Sequence, residues 1–428
     1  MRQIPASVVL LISSLFLPIP VWSQTVAVEA RPGVPPGLSL AQADKLWQEH
    51  NRELRLARGA VSAAEADRIA AGQAPNPQFT FSSISLNPRT GIGNGSLRDK
   101  RMDSVLRLDQ LVERGDKRAL REQAAGARLE AAQRDLEDTG RQSRFQLQAA
   151  YWDLRLAQEK VQVAEESAQL YGRSQKAADL RLKVGDIAVA DAARLRVEVA
   201  RAENDARAAR SDLTAARVAL AYFIGQENAA RDLTATDSWP DLASTPTSLA
   251  EGALESRPDI QAALARVKAA EAARELARAN RSRDVSVGVQ FEHFPPGNES
   301  PNNTYGVSVS IPLFLRHSYE GEIARAEADL QVAQELLDQT RAQARGEVDR
   351  VAAALQAAID RRQRLESGLL ADAERVAKAA EFAYSKGASS LLDLLDARRT
   401  LRAVRFDAAT LRAEHAKTLA AWQAAQGK

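Results

Sequence analysis

Proline placement constrains this chain more than any other feature. Its 16 prolines fall in five groups, at 5–36, 75–88, 240–258, 295–301 and 312, and none occurs in 89–239 or after 312. An interior proline costs a helix about 3 kcal/mol, so the two free tracts are where long helices can run. Their residues agree. From about Asp116 to Lys183 the chain is rich in Ala, Arg, Glu, Gln and Leu, all good helix formers. Gly185-Asp186 breaks that pattern, and a second helix is predicted from Val189 to Phe223. The later tract repeats the arrangement: helix from about Gly321 to Lys386, a break at Gly387, and helix from Ser390 to Ala425. A helix of about 65 residues spans on the order of 100 Å, far more than a globular core needs. Helices of that length form coiled coils, spacers or tubes.

The two tracts are copies. Gly185 and Gly387, Asp191 and Asp393, Gly225 and Gly427 are each 202 residues apart, as are Gln110-Leu111 and Pro312-Leu313. Upstream, Asn51-Arg52-Glu53-Leu54 matches Arg257-Pro258-Asp259-Ile260 at an offset of 206. An offset held over more than a hundred residues marks a duplication. The expected organisation is a signal peptide at 1–23, an N-terminal tail at 24–37, a first repeat at 38–230, a linker at 231–247 and a second repeat at 248–428.

Each repeat also holds a non-helical island. In the second, at about 284–314, Val285, Val287, Val289 and Phe291 alternate with polar or small residues. After a loop containing Pro295-Pro296-Gly297-Asn298, Tyr305, Val307, Val309 and Ile311 do the same. Period-two alternation on two runs joined by a polar loop predicts a β-hairpin. The first island, about 77–111, is weaker: Phe79 and Phe81, then Leu106 and Leu108, around Gly91-Ile92-Gly93-Asn94-Gly95. Strands of about 9–10 residues suffice to cross a bilayer at a tilt.

The remaining composition narrows function. Basic and acidic residues number 58 and 56, which disfavours nucleic acid as a partner. There is no cysteine, hence no disulfide, thiolate metal site or catalytic thiol. Arg2, the apolar runs Val8–Ile12 and Leu15–Leu17, and Val21-Trp22-Ser23 before Gln24 read as a secretory signal. No later stretch is long and apolar enough for a membrane helix. Export combined with hairpins interrupting very long helices points to an outer-membrane barrel. Two hairpins supply only four strands, and a membrane barrel needs about eight or more to close, so several chains must share it. His50, His293, His317 and His415 form no metal or triad spacing, and no phosphate loop or nucleophile elbow is present. No enzyme activity and no cofactor are expected.

Acid gathers at the second helix break. Asp393 and Asp396 lie three residues apart, on one helical face, among Leu391, Leu392, Leu394 and Leu395. One reading is first-turn aspartates favoured by the helix dipole. The other is a ring of carboxylates contributed by several subunits at the narrow end of a tube, holding it shut or attracting cations.

With Ser256-Arg257-Pro258-Asp259-Ile260, Val309-Ser310-Ile311-Pro312-Leu313-Phe314 and Tyr384-Ser385-Lys386-Gly387 before Ser390-Leu391-Leu392-Asp393-Leu394-Leu395-Asp396-Ala397, the chain resembles the TolC family of outer membrane efflux proteins over essentially its whole mature length. The resemblance implies a mainly α fold with a small β part: a homotrimer with a twelve-stranded barrel in the outer-membrane lipid and a periplasmic α-helical tube. It implies docking to a periplasmic adaptor and an inner-membrane RND pump. It makes Asp393 and Asp396 the periplasmic constriction, Tyr384 and Asp191 parts of a closed-state lock, and the turns at Gly185 and Gly387 the adaptor contacts. Where some members carry an arginine two residues after the second glycine, this chain has Ser389. The run Gln110-Leu111-Val112-Glu113-Arg114-Gly115-Asp116-Lys117-Arg118 is similar to the heavy-metal efflux branch. Other cargo, drugs or a polypeptide in type I secretion, fits the same fold, and a periplasmic coiled coil without a pore is the structural rival.

Overall fold

The computed structural model describes residues 37–84, 93–94, 102–242, 252–294 and 303–427. All of them fall within one compact unit, Pro35–Lys428. The expected signal peptide, most of the N-terminal tail, and most of both hairpin loops lie outside the described residues.

Helices α1 (Leu40–His50) and α2 (Arg52–Gly72) lead into strands β2 (Gln78–Ile84) and β3 (Asp103–Val112), preceded by a short β1 (Gly37–Leu38). The 67-residue α3 (Lys117–Lys183) and α4 (Val189–Phe223) follow. After β4 (Thr234–Ala235) the order recurs: α5 (Pro258–Ala279), β5 (Val285–His293), β6 (Asn303–Ser310), α6 (Glu320–Arg364), α7 (Leu370–Ser385) and α8 (Leu391–Ala425). No described helix is long and apolar enough to cross a membrane.

The four long strands form one antiparallel sheet in the order β2-β3-β5-β6. Helices carry the order onward, since α2 packs on α3, α3 on α5 and α5 on α6. Strand register sorts the side chains by face. Phe79 opposes Leu108, Leu108 opposes Val289, and Val289 opposes Val307; Phe81, Leu106, Phe291 and Tyr305 form the adjacent apolar row. This face is open, with Val307 78% and Tyr305 84% exposed. The other face holds Thr80, Arg107, Asp109, Gln290 and Ser308. Arg107 there donates to Asp109 and reaches Ser308 Oγ at 3.1 Å, spanning β5. That crossing requires Gly288, because a Cβ in its place would sit 2.6 Å from Ser308 Oγ and closer still to Asp109.

Away from the sheet the core is thin and alanine-rich. Ala124, Ala125, Ala131, Ala150, Ala157, Ala164 and Ala178 are buried on α3 alone, and Ala192, Ala202, Ala206 and Ala209 answer them on α4. Small side chains permit close helix axes, so long rods associate without a wide apolar core. Midway along α3 the chain wraps the rods. There β1 pairs in parallel with β4, and the buried Tyr151 hydroxyl donates to Leu38 O (3.0 Å) while accepting from the Thr236 and Asp237 amides. Asp237 accepts the Leu40 amide at 2.7 Å, and Trp239 stacks on Trp152 at 5.6 Å. The described part of the expected linker is therefore packed into this belt.

One expected element needs correction. The helix predicted from Gly321 to Lys386 is broken by a π-helical turn at Leu365–Leu369. A π turn takes in one extra residue, which rotates everything after it by about 100°. The buried Leu365 and the half-buried Leu370 thereby both reach Ala408 and Leu411 of α8. Arg362, just before the turn, donates to Pro240 O of the belt (2.6 Å) and to Glu366 (3.2 Å), and Arg412 of α8 donates to the same Glu366 oxygen at 2.8 Å.

Because one hydroxyl serves three backbone groups, Tyr151→Phe is expected to destabilise the fold by about 1–3 kcal/mol, the cost of buried groups left unpaired. A lowered midpoint of thermal unfolding of the purified protein checks this. An unchanged midpoint would show the belt to be dispensable.

Candidate functional site: the paired helix turns

Helices α3 and α4 meet at one turn, and α7 and α8 at the other. Gly185 (φ +77°) and Gly387 (φ +72°) sit in the left-handed region that only glycine enters without strain. Each closes a Schellman motif. The Asp186 amide bonds Arg181 O and the Gly185 amide bonds Leu182 O; in the second copy the Ala388 amide bonds Ala383 O and the Gly387 amide bonds Tyr384 O. No atom lies within 4 Å of a Cβ added at either glycine, so the turns are exposed. Around them Val184, Val189, Phe382 and Leu392 are more than half exposed.

Behind the turns one cluster unites the two copies: Tyr171, Ala178, Leu195, Val199, Ala202, Leu391, Leu394 and Leu395, with Tyr384 packed against it. Leu391, Leu394 and Leu395 face inward, which turns Leu392, Asp393 and Asp396 outward. Both aspartates are exposed, on the same side of α8, as their spacing predicted. Asp393 has a second occupation. Its carboxylate accepts from the Ser390 amide (3.1 Å) and hydroxyl (2.8 Å), while Ser390 Oγ accepts the Asp393 amide. This is a capping box. The Asp396 carboxylate has no hydrogen-bonded partner among the described residues.

The first copy lacks the box. Ala188 stands where α8 has Ser390 and cannot cap α4. Asp191 instead pairs with Arg194 at 3.3 Å on its own helix. Tyr384 does not meet Asp191 as a bonded partner. Its ring lies under the Arg181 guanidinium, 6.0 Å away, within cation–π range. Arg181 also donates to Asp186 at 2.6 Å, which raises its pKa. Arg181 was not singled out from sequence, since an arginine ending an arginine-rich helix carries no distinguishing pattern.

A half-buried ion pair was also missed. Glu198, 7% exposed, lies on the apolar stripe Ala192, Leu195, Val199, Ala202 of α4 and accepts from Arg399 of α8 at 2.5 and 3.1 Å. The hydrogen bonds from Arg399 hold the Glu198 carboxyl below its ordinary pKa, against the opposing effect of burial. Beside it Arg398 donates to Glu381 (2.9 Å) and Ser174 (2.8 Å) and covers the Tyr171 ring. The signal was present: a glutamate in a stripe of buried alanines and leucines demands a cation. These pairs tie α4 and α7 to α8 just behind the turns. Among the described residues no group of three or more metal-ligating side chains occurs.

Two outcomes follow. Ser390→Ala is expected to destabilise the first turn of α8 by about 1 kcal/mol, visible as faster amide hydrogen exchange at Asp393 and Leu394, whereas Ala188→Ser slows exchange at Asp191. For Glu198, a carboxyl with a lowered folded pKa binds protons more weakly folded than unfolded. Its contribution is complete above the unfolded value and is lost as pH falls through the folded one. Glu198→Gln should lower stability at neutral pH and flatten the acid limb of the stability profile. A parallel downward shift at every pH would instead assign the loss to packing.

Comparison with known proteins agrees with this architecture. A solved structure of the channel protein CusC superposes with a TM-score of 0.77 at 20% identity, covering 91% of this chain and 92% of that one. The outer membrane protein VceC of Vibrio cholerae gives 0.73 at 20% identity over 91% and 96%. The CmeC outer membrane channel of Campylobacter jejuni gives 0.75 at 17% identity over 91% and 85%. A comparison with curated protein sequences found no match. Residues 45–226 and 249–428 match the family described as outer membrane efflux protein, and the chain belongs to that family, placed in the outer membrane with helices extending into the periplasm.

Proposed function

We propose that the chain is one third of a homotrimeric exit duct for heavy-metal cations, fed by an inner-membrane RND pump through a periplasmic adaptor. The observation that carries the duct is the open sheet. Its apolar face is exposed and its outer strands, β2 and β6, have no partner on their free sides among the described residues of the protomer. In hydrocarbon every unpaired backbone group costs several kcal/mol, so both edges must be covered. Strands β2 and β6 run antiparallel to each other across the sheet, so β6 of one copy can pair with β2 of the next without breaking the alternation. Three copies make a closed barrel of twelve strands, lipid outside and the Arg107–Asp109–Ser308 face inside.

At the other end three copies of Asp393 and Asp396 bring six carboxylates together near the turns. A ring of like charge with low-dielectric walls concentrates counter-ions, here cations. The Gln110–Arg118 stretch supports the heavy-metal branch over drug or polypeptide export. Tyr384 with Arg181, and Asp191 with Arg194, hold the turns in the closed arrangement, and the exposed Gly185 and Gly387 turns meet the adaptor.

Asp396→Asn is the cleaner test of the constriction, since Asp393 also caps α8. In planar bilayers it should raise or lower single-channel conductance measurably and reduce cation over anion selectivity; unchanged conductance and selectivity would refute the assignment. For cargo, a deletion strain should become sensitive to divalent metals with its antibiotic tolerance unaltered. The reverse pattern would favour drugs.

A further inference from the structure

At the junction between sheet and helices two acidic side chains are neutralised, while the arginines next to them have no ion pair among the described residues. The last paired rung of β3 and β5 is Val112 with Val285. Glu113 and Asp284 adjoin that rung, just outside the two strands, and lie close enough to repel. Like charges opposite one another destabilise a sheet, and here they are answered: Arg121 donates to Glu113 and Lys117 donates to Asp284 at 2.8 Å. The Arg114 amide also donates to Asp284 at 3.0 Å. Both carboxyls are held below their ordinary pKa, Glu113 chiefly by its bonds from Arg121, and Asp284 by Lys117 and the Arg114 amide against burial.

Next along the chain, beyond the paired ladder, come Arg114 and Arg283. Both are exposed, and among the described residues neither side chain joins an ion pair; Arg283 lies over the Phe314 ring, at 5.6 Å. Arg118 and Arg316, also exposed, make no ion pair among the described residues either. The apolar face begins next to them with Val112 and Val285, and just past the end of β6 Leu313 and Leu315 are 68% and 84% exposed. Two exposed arginines at the rim of the apolar face thus have no ion-pair partner among the described residues.

We propose that Arg114 and Arg283 bind the anionic headgroup of a phospholipid in the leaflet facing the periplasm, with its acyl chains on the Val112–Val285 face. The helices leave the sheet at this end, so the two arginines sit at that leaflet. Guanidinium groups suit bidentate contact with a phosphate, and basic residues at a membrane surface favour anionic lipid. The occupant is a charged glycerophospholipid rather than a zwitterionic one, since a choline ammonium would meet the same arginines.

The full-length protein, purified in neutral detergent, is mixed with phosphatidylglycerol or phosphatidylcholine and bound lipid is counted by native mass spectrometry. Wild type should retain phosphatidylglycerol preferentially, the preference fading with salt. Arg114→Gln with Arg283→Gln should weaken that binding about fivefold per charge, leaving phosphatidylcholine binding and single-channel conductance unchanged. Arg114→Lys with Arg283→Lys should keep most of the preference. Equal retention of both lipids by wild type overturns the proposal without recourse to any variant. So does an undiminished preference in the Gln pair, or displacement of the lipid by inorganic phosphate at millimolar concentration, which would mark a free-anion site.

Discussion

Backbone hydrogen bonding in hydrocarbon is the constraint on which the rest of this structure depends. Water satisfies a frayed sheet edge in a soluble protein; lipid cannot. The four long strands described here leave two sheet edges open, and the consequence passes down the molecule. The order β2-β3-β5-β6 becomes the order α2, α3, α5, α6, because each helix continues from its own strand. Whatever arrangement closes the barrel thus also sets which helices stand side by side beyond it. Gly288 belongs to the same logic, since the polar wall closes over β5 only where that strand presents no side chain.

Below the membrane the problem is different: rods on the order of 100 Å long must stay aligned with little apolar volume to share. Alanine seams bring the axes close, but each buried methyl contributes little. Charged pairs supply register instead. Glu198 with Arg399, Arg398 with Glu381, Lys417 with Asp153 and Arg412 with Glu159 each join different helices. A half-buried pair is worth modest stability, yet a slip of one helical turn would leave a buried Glu198 without its cation, at a large penalty. Such pairs oppose sliding more than they add cohesion.

Much of this was legible from the residues. Proline exclusion marked α3, α4 and α8 to within a residue or two, and left-handed glycines fall at the two turns read from Gly185 and Gly387. Alternation in Val285–Phe291 and Tyr305–Val309 corresponds to β5 and β6, and Phe79 and Phe81 to β2. Helix propensity could not reveal the π turn: Ser367 and Gly368 weaken the helical pattern without specifying an extra residue, and Leu365 and Leu370 both pack against α8 only in the fold. The β1–β4 ladder was equally hidden, being two residues on each side with no periodicity to detect. At the turns, Asp393 and Asp396 share an exposed face as their spacing implied. The capping box at Ser390, also written in the sequence as a Ser–x–x–Asp run, accounts for Asp393 in structural terms as well.

The duplication has diverged in a consistent direction. In the first copy α3 runs unbroken for 67 residues to Gly185, and the following helix starts on the uncapped Ala188. In the second, the rod is interrupted at Leu365–Leu369, and the following helix starts on a full capping box. Arg362 fastens the interruption to Pro240 O of the belt and donates to Nδ1 of the fully buried His415, whose pKa is lowered by burial and by that guanidinium. A protonated His415 would face Arg362 directly, so the contact is kept in its neutral, accepting form. A π turn interrupts the regular ladder of a helix, and here its upstream side is clamped by Arg362 while α7 beyond it carries Tyr384 and leads to Gly387. The copy that bears Asp393 and Asp396 is thus the one whose rod is interrupted, whereas the first copy reaches its turn as one continuous helix.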